Sequence, residues 1–294
     1  MRGLSGPRFS PVFPLLAGLA LAATSSAQAV RVSAGTIEDR RTTGRFFAGL
    51  EIELKLTGDD LADAKSARIL LKKAVDETGR NLLPESKPDG EFKSINSSEL
   101  KLSLKNPARG ASAVKEIAGQ IELFVPSRDP AATVTVDRVL SRMDKAVESP
   151  ALKSQKIALR VVSPNAHRAA AKKRDAELEK EMAKHKEEMK KEAGDDKTAE
   201  ALMALVKGFS GMMNEVGDND LILEIEDPEK KLLDVSVVGP KGDTIDTNGS
   251  MSSGSLRILQ FHEKLPADAK LKLLLQTRKS IVSAPFSLTN VPLP

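Results

Sequence analysis

The chain has 294 residues, 45 of them Lys or Arg and 41 Asp or Glu, for a formal charge of +4. It contains no cysteine, no tryptophan and no tyrosine, which excludes disulfides, thiolate metal ligation and a lipid anchor on an N-terminal cysteine. The charges of both signs are interleaved and aromatics make up only 3%, so the basic stripe and stacking platform of a nucleic-acid binder are not there.

Residues 1–29 read as a secretory signal. Arg2 and Arg8 form a positive start, residues 12–23 are a short apolar run, and Ala27-Gln28-Ala29 fits an A-x-A cleavage site before Val30. The run is too short to cross a bilayer, and no later window is apolar enough to do so. The expectation is an exported chain, periplasmic or secreted, with no transmembrane segment. Cleavage removes two uncompensated arginines and lowers the formal charge to +2. Without disulfides, the remaining chain depends on core burial for its stability.

Residues 30–163 read as the first β domain. Leu50, Ile52, Leu54 and Leu56 alternate with Glu51, Glu53 and Lys55, the period-2 signature of a strand with one buried face. Further strands are expected at 67–75, 100–104, 117–125, 133–139 and 156–162. Turn residues separate them, among them Gly58-Asp59-Asp60, Asn106-Pro107 and Pro126. Short strands with such turns, and no strand–helix alternation, point to an antiparallel sandwich. Asp76, Glu77 and Arg80 gather at one turn, where such residues ordinarily serve turn chemistry.

Residues 74–84 (AVDETGRNLLP) and Leu104-Lys105-Asn106-Pro107-Ala108-Arg109 running to Ile117-Ala118-Gly119 resemble stretches of uncharacterised secreted bacterial β-sandwich proteins. Residues 284–294 resemble the C-terminal strand of such modules. The resemblance implies a β-sandwich fold. Those relatives have no assigned activity, so it implies nothing about chemistry.

Residues 164–217 read as an α-helical hairpin. Asn165 is expected at the first N-cap, and residues 166–193 hold no proline or glycine and many good helix formers. Pairs such as Glu177 with Lys180 and Glu181 with Lys184 sit at helical spacing. Its apolar seam is thin: Leu178, Met182 and Met189, with His185 between them. Gly194 is a natural C-cap. The second arm differs, because Leu202, Leu205, Val206, Phe209, Met212, Met213 and Val216 fall at helical steps and form a broad apolar stripe. This stripe is the candidate partner-binding face, since Met and Phe surfaces make adaptable contacts. The competing reading buries it against a sheet or the first helix.

Residues 218–294 read as a second, smaller β-sandwich. Strands are expected at 221–225, 232–238, 256–261, 271–277 and 281–288, with turns at 239–243 and 246–249.

Little catalytic chemistry is legible. His167, His185 and His262 lie in three different elements with no H-x-x-x-H pairing, so no metal site is expected. Gly208-Phe209-Ser210-Gly211 lacks the second spacer of a nucleophile elbow. Asp218-Asn219-Asp220 and residues 243–249 offer oxygen ligands but miss the EF-hand pattern. The expected molecule is mainly β, two antiparallel Ig-like β-sandwich units with an intervening α-helical hairpin. It is expected to be non-enzymatic, to need no cofactor, and to act on an unidentified protein partner in the cell envelope or outside the cell. Two alternatives stand beside it: a ligand- or glycan-binding site on the sandwich loops, and a hydrolase with a dispersed carboxylate pair.

Overall fold

The computed structural model describes residues 30–42, 48–85, 90–95, 97–193, 201, 204–205, 208 and 216–294. The expected signal, residues 1–29, lies outside them. The fold is mainly β, with 47% strand and 18% helix. In chain order come β1 (Arg31–Arg40), β2 (Gly49–Thr57), β3 (Ser66–Asp76), β4 (Lys93–Ser94), β5 (Glu99–Leu104) and β6 (Ala113–Phe124). Next are β7 (Thr133–Val136), β8 (Lys145–Ala146), the short helix α1 (Pro150–Ser154), β9 (Ala158–Val162) and the long helix α2 (Pro164–Ala193). The chain continues with β10 (Leu221–Glu226), β11 (Leu232–Val238), β12 (Thr244–Ile245) and β13 (Gly249–Ser253). It ends with β14 (Leu256–Gln260), β15 (Lys270–Leu275) and β16 (Ile281–Pro292).

These strands form four antiparallel sheets, ordered β1-β2-β5, β16-β6-β3-β4, β13-β14-β10-β9-β8 and β12-β11-β15-β7. The first two sheets bury their apolar residues in one shared core. Leu50, Ile52, Leu54 and Leu56 of β2 are at most 2% exposed there, beside Ile117 and Ile121 of β6. The alternation that marked β2 is therefore the inner face of this unit. The other two sheets share a second core, where Leu159 and Leu223 meet Val237 and Leu273.

The strand pairings do not follow residues 30–163 and 218–294 as blocks. β7 and β9 belong to the earlier stretch, yet β7 pairs with β15 and β9 with β10. β16 belongs to the later stretch, yet it pairs with β6 from Ile281↔Phe124 to Pro292↔Ala113. The second unit is thus inserted between β6 and β16 of the first. Alternation reports which face of a strand is buried and carries no information about its neighbour. β16 also runs on to Pro292, past its expected end. It has a single ladder partner, and proline is tolerated on such an edge because no neighbour needs its N–H.

Two further differences are local. β1 was not expected, because its apolar residues Val32 and Ile37 are only partly buried and a register shift between Ala34 and Ile37 breaks their alternation. The start of α2 is capped by Ser163, whose Oγ accepts from Ala166 N at 3.2 Å. The expected cap, Asn165, sits inside the first turn behind Pro164, which is pre-organised for the first helical position.

Candidate partner-binding arm and interunit cleft

β9 and β10 are antiparallel neighbours, with Val162 opposite Ile222. The chain therefore leaves the sheet after Val162 and returns to the same place before Leu221. Polar contacts hold both ends of this excursion. Asp144 Oδ1 accepts from Ser163 N at 2.9 Å, and the backbone and side-chain hydrogen bonds from Ser163 hold the Asp144 carboxyl below its ordinary range. Arg168 Nη2 donates to Val216 O at 3.0 Å and pairs with Asp218 at 2.8 Å. Asp220 Oδ2 accepts from Gly217 N at 2.7 Å. Arg168 thus ties the outgoing helix to the returning strand.

Within residues 164–181 of α2, burial is concentrated at the foot. His167 and Ala171 are at most 3% exposed, and Ala166 packs on the apolar cluster of Val162, Val216, Ile222 and Ile258. From 172 to 181 the side chains are exposed except for half-buried Asp175 and Leu178. Ala171, Asp175 and Leu178 are four and three residues apart, so they share one side of the helix. At 30 residues α2 is about 45 Å long.

Two residues of the stripe, Leu205 and Val216, are described. Val216 is 9% exposed and belongs to the cluster under α2. Leu205 has helical backbone and is 69% exposed. Leu202, Val206, Phe209, Met212 and Met213 lie outside the described residues, as does Ser210. Ala201, Ala204 and Gly208 are helical and exposed.

The remaining polar residues of interest are engaged in structure. Asp76 is fully buried. Its Oδ1 accepts from Thr78 N, Thr78 Oγ1 and Arg80 N at 2.9, 2.7 and 2.9 Å, and its Oδ2 from Ala108 N at 2.8 Å. Burial opposes its ionisation, but these donors outweigh burial and hold the carboxyl below its ordinary value. Glu77 accepts from Ser112 N at 2.6 Å. Residues 74–84 and 104–119 are therefore stitched to each other by this turn. Of the Asp-rich turns, Asp218 is paired with Arg168 and Asp220 closes its own turn; among the described residues no three acids or histidines gather as a metal-binding group. His167 is buried at the foot of α2 and His262 is exposed on a loop.

One feature is invisible in the sequence. A cleft of about 700 Å³ lies between the two units, with Arg68 and Phe92 on one side and Asp227, Lys230 and Arg257 on the other. The Arg68 guanidinium lies 4.6 Å from the Phe92 ring centre and pairs with Glu122 at 2.7 Å. Lys230 reaches across to Glu91 at 2.6 Å. These residues come from distant stretches of chain, so no local motif announces them. Comparison with known families, curated proteins and solved structures finds no match for this chain.

Proposed function

We propose that the protein is exported, is not an enzyme, and uses a helical hairpin mounted on two Ig-like β-sandwich units to capture a protein partner in the envelope or outside the cell. The observation that carries this reading is Leu205, a large apolar side chain 69% exposed on helical backbone. Leu205 belongs to the apolar stripe read from the sequence, the i, i+3, i+4 pattern of a helix that lays an apolar face on a partner. The adjacent exit and return points, joined by Arg168, favour a hairpin. The shared side of Ala171, Asp175 and Leu178 gives the first arm a seam against a returning one. Export fits as well, since the expected cut after Ala29 falls before β1 and spares every described strand.

The test is replacement of residues 172–215 by a short Gly-Ser linker. This keeps Ala166, His167, Ala171 and Val216 on the sheet. The body should keep its unfolding transition and lose a partner that co-purifies with the intact chain from envelope extract. Global unfolding of this variant would make the arm part of the core and end the proposal.

A further inference from the structure

We propose that the interunit cleft binds a small amphipathic zwitterion, an apolar α-amino acid being the simplest form, with Arg257 holding its carboxylate and Asp227 its ammonium group. The proposal stands on two residues that line the cleft, Asp227 and Arg257. Arg257 Nε and Asp227 Oδ1 are buried, and neither has a hydrogen-bond partner among the described residues. Buried polar atoms in folded proteins are nearly always satisfied, so an unsatisfied donor and acceptor in one cleft call for an occupant.

The fold explains why both stand there. Ile225 N donates to Ser255 O at 2.7 Å, which sets the end of β10 beside the turn between β13 and β14. Arg257 lies opposite Leu223 in that ladder. Leu223 and Leu259 both face the second core, so by strand alternation Arg257 stands on the same inner face at its cleft end. Asp227 follows β10 directly. Its Oδ2 accepts from Leu232 N at 2.7 Å and its main-chain oxygen from Lys230 N at 3.1 Å, which fixes the carboxylate while leaving Oδ1 unused.

The other charged residues lining the cleft, among those described, are already committed. Arg68 is held by Glu122, Lys230 by Glu91, and Glu229 by Lys156 and Lys231. What is left is one cationic donor and one anionic acceptor. Ile225, Leu232, Leu233 and Phe92 add an apolar lining. A ligand that satisfies all three features carries an anion, a hydrogen-bond donor and an apolar group. The volume suits such a ligand, and small-molecule sites favour the junctions between domains.

The experiment is calorimetric titration of the intact mature chain with L-phenylalanine and L-leucine. Two controls are 3-phenylpropionate, which lacks the ammonium group, and phenethylamine, which lacks the carboxylate. Saturable binding of the amino acids is expected, with each control weaker by about tenfold or more. R257Q should remove binding. D227N keeps an oxygen for Leu232 N, so it should cut L-phenylalanine affinity while leaving 3-phenylpropionate unchanged. A merely structural role for Asp227 would not produce that split. Thermal unfolding of each unliganded variant checks its fold, and the D227N comparison stands by itself if R257Q does not fold. No binding by either amino acid, equal binding of amino acids and controls, or unaltered binding by folded R257Q and D227N would each overturn the proposal.

Discussion

Thr277 Oγ1 donates to Asp129 Oδ2 at 2.6 Å, fastening together the two places where the chain crosses between units. One crossing follows β6 and the other precedes β16. They also share a backbone bond from Val125 N to Ser280 O at 2.7 Å, and Ser280 Oγ accepts from Thr277 N at 3.0 Å. The hydrogen bond from Thr277, then that from Ala131, holds the Asp129 carboxyl below its ordinary range. T277V removes this donor at nearly constant shape. It should lower unfolding stability by about 1–2 kcal/mol, read from the urea midpoint at unchanged slope.

Asp76 supplies the stitch within the first unit. D76N replaces one accepting oxygen by a donating NH₂ among four donors. The expected loss is about 2–3 kcal/mol in the same urea experiment. The pH dependence has a definite sign. The native carboxyl lies below its ordinary value of 3.8, so the unfolded chain binds more protons in that window. The contribution of Asp76 is complete above 3.8 and is lost as pH falls through the lower native value. The stability gap between wild type and D76N should therefore shrink on acidification below 3.8.

Gly119 lies in the middle of β6, between β3 and β16. A Cβ there would sit 2.6 Å from Leu70 O and 3.1 Å from the Phe286 ring. A backbone carbonyl cannot swing aside as a flexible side-chain tip does. G119A should destabilise by about 2–3 kcal/mol, against the stabilisation that Gly→Ala gives at open sites. Thermal unfolding of this variant checks it.

Arg168 is the tie at the foot of the arm. Its ion pair with Asp218 is exposed, so R168A should change global stability by less than about 1 kcal/mol. It should still loosen the arm locally. Limited trypsin digestion at Lys172, Lys173 and Arg174 should run faster than in wild type, while the rest of the chain stays protected.

Strand faces were legible and strand partners were not. Leu50 to Leu56 announced a buried face because alternation is a local property, and β11 was placed at its observed limits, Leu232–Val238. The pairing of β16 with β6 joins stretches more than 150 residues apart, and nothing in either segment names the other. β1 escaped notice because this edge strand only half-buries Val32 and Ile37, and a register shift between Ala34 and Ile37 interrupts the pattern. The long helix α2 was legible from composition. The division between exposed Leu205 and buried Val216 was not, because both fit one helical stripe. The cleft was illegible since Arg68, Asp227 and Arg257 each look like ordinary polar residues beside a turn or within a strand.

The absence of cysteine permits a direct test of the arm. L205C carries a single thiol, which a benzophenone maleimide converts into a short-range photo-crosslinker. Irradiation in envelope extract should give one discrete adduct to a different protein. The same probe at V216C should label slowly and give no adduct, because that position is buried on the sheet. Crosslinks from L205C confined to its own chain would contradict the account, since Leu205 would then be covered by the protein itself.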